Sequence, residues 1–131
     1  ISLGLVGSEM CIRDRLNIAV NEIQKDRIKS AKALQKKYGC IIVLKGNGTI
    51  ICNKNDAYLC SSGGPELAVA GSGDILSGVI GSLIAQGLTP FEAAKTGVVI
   101  HSLAGEDFAN DVGKIGLAAG ELIPYIRKFL N

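Results

Sequence analysis

The sequence predicts an α/β fold, and two observations support that prediction. A helical stripe over residues 21–38 is followed at once by the β-branched run Cys40 to Leu44, and a helix that leads directly into a buried strand is one half of an α/β repeat. A hairpin and three helices then follow without another strand between them. We therefore expect an α/β domain that is not a simple repeating doubly wound unit.

The first helix is predicted over Asn21 to Tyr38 and ends at Gly39, because glycine readily adopts the left-handed conformation that closes a helix. The run Cys40 to Leu44 predicts a strand buried on both faces, as in a parallel sheet. Two further strands, at residues 49–52 and 57–60, are separated by a polar turn and predict a hairpin.

Three helices are predicted in the second half of the chain. The first runs from Ile75 to Gly87, and the glycines on its small face, Gly78 and Gly81, suggest that another backbone approaches closely. The second runs from Pro90 to about Asn110, because Thr89, Pro90 and Glu92 form the pattern of a capping box with proline at the first helical position. The last extends over residues 118–129.

The chain is short and nearly neutral. It has 131 residues, a net charge of +2 and 47% hydrophobic residues, which suits one domain or a piece of a larger one. Proteins that bind nucleic acids normally have a strong basic excess, and the apolar stretches here are too short and too often broken by glycine to span a bilayer. We therefore expect a packed domain that binds neither nucleic acid nor membranes.

The cysteines indicate a reducing compartment. Cys11, Cys40, Cys52 and Cys60 have neither the paired C-x-x-C spacing of a zinc site nor the pattern of a secreted disulfide framework. We predict a cytoplasmic location and no metal ion held by these residues.

The first fifteen residues are interpreted separately. The segment LVGSEMCIRDR, Leu5 to Arg15, resembles the translation of a sequencing-library adapter, and such foreign segments are set aside before fold is considered. The alternative is a short strand around Leu3 to Val6. We expect residues 1–15 to be adapter-derived and residues 16–131 to be the carboxyl-terminal part of a domain whose gene began further upstream.

One cluster of basic residues lies on the first predicted helix. It has no interleaved aromatic residues, and we interpret it as a solvated helix face. Its members are Lys25, Arg27, Lys29, Lys32, Lys36 and Lys37.

The clearest candidate site lies where a glycine loop leads into the Ile75 helix. Unpaired N–H groups and the positive end of the helix dipole meet there, so Gly71, Ser72 and Gly73 are predicted to form an anion hole. The glycines let a phosphate approach the backbone, and the turn is expected to need a positive φ. Asp74 is either a helix cap or a base that accepts a proton from an attacking hydroxyl.

A second candidate is the loop Lys45, Gly46, Asn47, Gly48 and Thr49. It directly follows the buried strand, and ligands of open α/β sheets bind at the carboxyl ends of strands. The alternative is an ordinary hairpin turn with a solvated lysine. Neither the P-loop motif G-x-x-x-x-G-K-[ST] nor the Rossmann motif G-x-G-x-x-G is present.

Together these segments resemble a known family. The helix, the segment CIIVLKGNGT, the hairpin and the segment GGPELAVAGSGDILSGVIGSLIAQGLTPFEAA resemble the carboxyl-terminal half of ADP- or ATP-dependent NAD(P)H-hydrate dehydratases, which belong to the ribokinase-like superfamily. The resemblance runs from about Leu16 to the end of the chain. It implies a truncated ribokinase-like fold with part of a mainly parallel sheet.

The resemblance also implies a metabolite-repair activity. Such enzymes use ADP or ATP, with Mg²⁺, to phosphorylate the hydroxyl of hydrated NADH or NADPH (NADHX or NADPHX) and then eliminate phosphate. By the motif match, residues 45–49 and Gly73 contact the nucleotide, and Asp74 binds the substrate and acts as the base. A protein of full length is expected to be a homo-oligomer.

Two departures from the family pattern lie in the glycine loop. The family stretch is approximately N-P-G-x-A-x-G-G-x-G-D, whereas this chain has Gly64 in place of Asn and Glu66 in place of the glycine after proline. The family's earlier half, with its His-Pro-Gly-Glu motif, is absent from this sequence. We therefore expect the chain by itself to be inactive or nearly so.

Two other functions stay open at this point. One is a kinase of a vitamin precursor such as hydroxyethylthiazole, which would keep the glycine-Asp loop but transfer phosphate permanently. The other is a noncatalytic nucleotide-binding or oligomerisation piece. His101, the only histidine, is expected to pack in a helix rather than to act in catalysis or bind a metal, and Glu106 and Asp107 are expected to be solvated.

Overall fold

A computed structural model describes the backbone of residues 5–7 and 9–131, and the side chains of residues 7, 11 and 13–131. The helices are α1 (Glu9–Leu16), α2 (Val20–Lys25), α3 (Arg27–Tyr38), α4 (Ser72–Ala85), α5 (Pro90–Asp111) and α6 (Leu122–Leu130). The strands are β1 (Leu5–Gly7), β2 (Ile42–Leu44), β3 (Thr49–Cys52) and β4 (Ala57–Cys60), and short 3₁₀ turns lie at Pro65–Leu67 and Ala119–Glu121.

The strands form one sheet in the order β1-β2-β3-β4. Strand β1 pairs in parallel with β2, and the pairs β2–β3 and β3–β4 are antiparallel. The predicted hairpin is confirmed, with Thr49 opposite Cys60 and Cys52 opposite Ala57. The described sheet therefore has one parallel pair and a hairpin beside it.

Helices cover both faces of this sheet. On β2, Ile42 and Leu44 pack with α2 and α3, whereas Val43 between them packs with α4, α5 and α6. Because successive side chains of a strand point to opposite faces, a strand buried on both sides needs apolar residues throughout. The run Ile42–Leu44, with every residue buried, confirms the predicted buried strand, which begins two residues later than expected.

The single helix predicted over residues 21–38 is wrong, because the structure divides it into α2 and α3 at Asp26. The Asp26 side chain accepts a hydrogen bond from the Lys29 amide at 2.9 Å, so it caps the start of a new helix rather than continuing the old one. The predicted end is confirmed: Gly39 has φ +66° and its amide donates to the Gln35 carbonyl at 2.7 Å.

Local signals locate the other helices well. The capping box at Thr89 and Glu92 is present at the start of α5. The last predicted helix is correct in place, although its first residues form the 3₁₀ turn Ala119–Glu121 before α6 begins.

Within the described residues, no helix is both long and apolar enough to cross a membrane.

The close backbone approach predicted at Gly78 and Gly81 is wrong among the described residues. A Cβ at either position would meet nothing within 4 Å. The close approach lies instead on α5, where a Cβ at Gly97 would come within 2.7 Å of the Ile80 side chain. Helices α4 and α5 therefore pack tightly through Gly97, and the small face of α4 is open.

The alternative interpretation of the amino-terminal segment is partly met by β1, which forms at Leu5–Gly7. Leu3, also included in that predicted strand, lies outside the described residues. The adapter interpretation of residues 1–15 concerns the origin of the segment, and it stays a prediction.

Candidate functional site

The two loops singled out in the sequence meet at one edge of the sheet. Lys45 directly follows β2, and its Nζ donates a hydrogen bond to the Ser72 hydroxyl at 2.7 Å. The same hydroxyl donates to the Leu67 carbonyl at 2.7 Å. Ser72 is fully buried at the first turn of α4, so its hydroxyl fixes the lysine and the glycine-rich loop relative to the helix.

A histidine supports the same serine from α5. His101 Nε2 lies 3.0 Å from the Ser72 carbonyl oxygen, and because a carbonyl only accepts, the ring carries its proton on Nε2. Burial, and then the nearby Lys45 charge, lower the pKa of His101 to about 4. His101 is therefore neutral near pH 7 and ties α5 to the start of α4.

The ammonium group of Lys45 lies in a partly desolvated place. Burial lowers the pKa of Lys45, and the negative charge of Asp74 acts in the opposite direction. An anion bound beside the lysine would favour its charged form. The alternative of a solvated lysine in an ordinary turn is therefore wrong, because Lys45 is partly buried and bonded to Ser72.

The predicted anion hole is reduced to two of its three residues. The Ser72 amide already donates to the Val69 carbonyl at 3.3 Å, and the Asp74 amide donates to the Gly71 carbonyl at 3.0 Å. The amides of Gly71 and Gly73 donate to no acceptor in the described part of the chain. The Ser72 hydroxyl already donates to the Leu67 carbonyl, so the two glycine amides are the available donors.

The conformation of Gly71 explains why this residue is a glycine. Its φ is +85°, and a Cβ there would lie 3.2 Å from the Ala119 side chain. Gly73, by contrast, is helical, and a Cβ there would lie 3.7 Å from Lys45 Nζ. The positive φ predicted for this turn is therefore confirmed at Gly71, whereas Gly73 keeps space beside the lysine.

Asp74 is exposed and does not cap α4. The residue that precedes the helix is Gly71, and no side chain caps this end. The capping alternative is therefore wrong, and the carboxylate faces solvent at the edge of the site with Lys45 close enough to feel its charge. Such a group is available as a proton acceptor.

A cavity of about 540 Å³ opens beside these groups. Its size is typical of small-molecule and cofactor sites. Four of the five predicted loop residues line it: Lys45, Gly46, Asn47 and Thr49. The other lining residues come from the glycine-rich loop, α4 and α5: Ser62, Gly63, Gly64, Pro65, Leu67, Ala68, Leu76, Val98, His101 and Ser102.

The structure does not bring every predicted site residue to the cavity wall. Gly48 does not line it, and neither do Gly71, Ser72, Gly73 and Asp74. Lys45 joins the two groups, because it lines the cavity and also contacts Ser72. The predicted residues thus fall into two adjacent groups, one on the cavity wall and one at the first turn of α4.

Two carboxylates bind the backbone of the loop at Gly63 and Gly64, which lines the cavity. Glu66 Oε1 accepts from the Gly64 amide at 2.7 Å, and Glu106 Oε1 accepts from the Gly63 amide at 2.7 Å. The expectation that Glu106 is merely solvated is therefore wrong. A Cβ at Gly64 would lie 2.5 Å from Glu66 Oε2, so the glycine leaves room for this carboxylate.

The packing predicted for His101 is confirmed, but its contact with Ser72 and its place on the cavity wall were not predicted. His101 is only 3% exposed, and a buried polar side chain needs a partner. A polar residue within an apolar helical stripe was the available signal.

No group of three potential metal ligands occurs among the described residues.

The chain is similar to known proteins over nearly its whole length. The Carb_kinase family model, described as NAD(P)H-hydrate dehydratase, matches residues 13–128. The bifunctional NAD(P)H-hydrate repair enzyme Nnr of Coxiella burnetii is 46% identical over 117 residues, 88% of this chain and 24% of that protein. The ADP-dependent (S)-NAD(P)H-hydrate dehydratase of Neisseria meningitidis is 39% identical over 88% of this chain and 40% of its own length.

Solved structures agree on the fold. The ADP/ATP-dependent NAD(P)H-hydrate dehydratase of Bacillus subtilis, co-crystallised with ATP and Mg²⁺, aligns with a TM-score of 0.92 and 29% identity over 97% of this chain and 46% of that one. The chain therefore spans less than half the length of these relatives. A ribokinase-like superfamily protein of Enterococcus faecalis aligns with a TM-score of 0.78 and 26% identity over 96% of this chain and 44% of that one. Because the family model covers most of its residues, the chain belongs to the NAD(P)H-hydrate dehydratase family and has a ribokinase-like α/β fold.

Proposed function

We propose that this chain supplies the nucleotide-binding and proton-accepting part of a site that dehydrates NADHX and NADPHX to NADH and NADPH. One observation carries the proposal: the Lys45 ammonium group, the two available glycine amides and the exposed Asp74 carboxylate lie together around the first turn of α4. Enzymes that transfer a phosphoryl group to a hydroxyl use such groups: a cation and N–H donors for the phosphate, and a proton acceptor for the hydroxyl.

The adenine nucleotide is assigned to the cavity and its rim. The cavity is lined by polar side chains at Asn47 and Thr49 and by small residues of the 62–68 loop. A mixture of polar and apolar walls suits a nucleoside. The terminal phosphates then lie near Lys45, Gly71 and Gly73, where N–H groups and a positive charge converge. Relatives named for ADP or ATP support this assignment.

The proposed chemistry uses Asp74 as the base. The substrate hydroxyl gives its proton to the Asp74 carboxylate, its oxygen bonds to the terminal phosphorus of the nucleotide, and the bond from that phosphorus to the leaving nucleotide breaks. The phosphorylated ring then loses phosphate from one carbon and a proton from its neighbour, which restores the double bond. Lys45 and the glycine amides stabilise the transferred group throughout.

The described residues offer no dedicated magnesium site. Among them no three carboxylate, histidine or cysteine side chains are grouped, and Mg²⁺ in nucleotide enzymes is held largely by phosphates and water. The crystallised Bacillus subtilis relative was prepared with ATP and Mg²⁺. No step of the proposed chemistry is assigned to a metal held by this chain.

A substitution at Asp74 tests the proposal. We expect Asp74→Asn to keep ATP binding by this chain, measured by calorimetry, because the carboxylate is not a phosphate ligand. In a protein extended to the length of the curated relatives, the same change is expected to lower NADHX dehydration by about 100- to 10,000-fold, the usual contribution of a general base. Unchanged turnover would remove Asp74 from the mechanism.

Product analysis separates the proposal from the two alternatives. A dehydratase releases free phosphate and NADH, whereas a vitamin-precursor kinase accumulates a phosphorylated alcohol. A noncatalytic piece would bind nucleotide with no turnover in the extended protein. For the 131-residue chain alone we expect nucleotide binding with little or no dehydration, and measurable dehydration by it would contradict that expectation.

A further inference from the structure

Arg27 reaches from the first turn of α3 to the loop that follows β2. Its Nη1 donates hydrogen bonds to the carbonyl oxygens of Asn47 at 2.6 Å and Gly48 at 2.7 Å. Its Nη2 lies 3.4 Å from the Leu44 carbonyl oxygen. One guanidinium group thus binds three carbonyls that bracket the loop 45–48.

The sequence placed Arg27 among solvated lysines, and that interpretation is wrong for this residue. A positive charge in the first turn of a helix is unfavourable, because the amino end of the helix dipole is also positive. Its neighbour Asp26 caps the helix, but the guanidinium group extends to residues twenty positions away. The hydrogen bonds to the Asn47 and Gly48 carbonyls offset the unfavourable interaction of Arg27 with the helix dipole.

The carbonyl contacts set the direction of the loop amides. In a trans peptide the carbonyl oxygen of one residue and the N–H of the next point to opposite sides. Because the carbonyl of Asn47 points to Arg27, the N–H group of Gly48 points away from it. The Gly48 amide donates to no residue that the structure describes.

The loop would not hold this arrangement alone. Gly46 and Gly48 have φ +153° and +74°, and glycine accepts either orientation of its neighbouring peptides at little cost. A reversed peptide would turn a carbonyl oxygen, rather than an N–H group, toward a bound anion. The planar guanidinium group of Arg27, which binds several carbonyls at once, prevents the peptides from reversing.

We infer that Arg27 is a positioning residue for nucleotide binding: by holding the carbonyls of Leu44, Asn47 and Gly48 it fixes the backbone of the 45–48 loop, which lines the cavity assigned to the nucleotide. The inference rests on the proposed function, because it takes the anion to be the nucleotide's phosphate. Arg27 acts through the loop backbone.

The test compares three variants of the 131-residue chain. Arg27→Gln removes both the charge and the guanidinium group, whereas Arg27→Lys keeps only the charge. Lys29→Gln removes an exposed charge from the same helical turn and serves as the control. Hydrogen bonds to a charged group correspond to roughly 10- to 100-fold in an equilibrium constant. We expect ATP affinity, measured by calorimetry with Mg²⁺ present, to fall by about 10-fold or more in Arg27→Gln, less in Arg27→Lys, and under about 2-fold in Lys29→Gln.

A second readout separates positioning from general stability. Amide resonances of Gly48 and Thr49, recorded without nucleotide, should move in both Arg27 variants and stay unchanged in Lys29→Gln. A lowered melting temperature with unchanged ATP affinity and unchanged loop resonances would overturn the inference. If the parent chain binds no ATP, the proposed nucleotide site fails, and the loop resonances alone decide whether Arg27 orients this backbone.

Discussion

His101 makes the stability of this protein depend on pH in a predictable direction. Its ring is buried, donates to the Ser72 carbonyl and lies near the Lys45 charge, and these surroundings lower its pKa from 6.5 to about 4. Replacement by glutamine removes the titrating ring while keeping a side-chain N–H that can reach the same carbonyl. His101→Gln is therefore the perturbation that isolates the titration.

The sign follows from which state binds the proton. Between pH 6.5 and pH 4 the unfolded chain protonates this histidine and the folded chain does not, so the unfolding free energy falls as the pH is lowered through that range. Linkage with these two pKa values gives a loss of about 2 kcal/mol between pH ~7.5 and pH ~5. Above the pKa of the unfolded state, neither state binds this proton, and the unfolding free energy keeps its full value with respect to His101.

Urea unfolding followed by circular dichroism measures this effect. The parent chain is expected to lose about 2 kcal/mol more than His101→Gln over that pH range, and carboxylates that titrate in both proteins cancel in the comparison. Equal losses in the two proteins would show that His101 titrates normally. The structural account of a neutral, buried ring beside Lys45 would then be refuted.

Three further substitutions test separate contacts. Lys45→Met should weaken ATP binding. In the parent chain ATP affinity should fall as the pH rises through the lowered pKa of Lys45, because a bound phosphate favours the charged lysine, and in the variant this fall should disappear. Calorimetry over a pH series measures both affinities, and the same pH profile in the two proteins would contradict the prediction. Gly73→Val should block ATP binding with little loss of stability, since its side chain would fill the space beside Lys45 Nζ; full binding would place the phosphate elsewhere. Thr89→Ala should lower the unfolding free energy by about 1 kcal/mol through loss of the capping box, with no change in ATP affinity; a change in affinity would indicate coupling that the structure does not show.

Local rules predict much of this fold. The end of α3 at Gly39, the hairpin and the capping box of α5 each depend on a few adjacent residues, so the sequence contains all the information they need. The division of α2 from α3 also had a local signal in Asp26. It was missed because the apolar stripe continues across the cap.

Contacts between distant residues could not be predicted from spacing. Arg27 and Asn47 are twenty positions apart, and His101 and Ser72 are twenty-nine positions apart, so only the packing of helices on both faces of the sheet brings them together. The motif match did place Lys45 and the Gly71–Asp74 turn in one site. It did not show that the Ser72 amide is already bonded within the chain.

The most direct test of the central claim is a titration of the isotopically labelled chain with ADP, followed by amide resonances. Phosphate bound at the start of α4 should shift the Gly71 and Gly73 amides most strongly, together with the 45–49 loop, and leave the exposed end of α6 unchanged. Saturable binding that leaves both glycine amides unmoved while other residues shift would contradict the account.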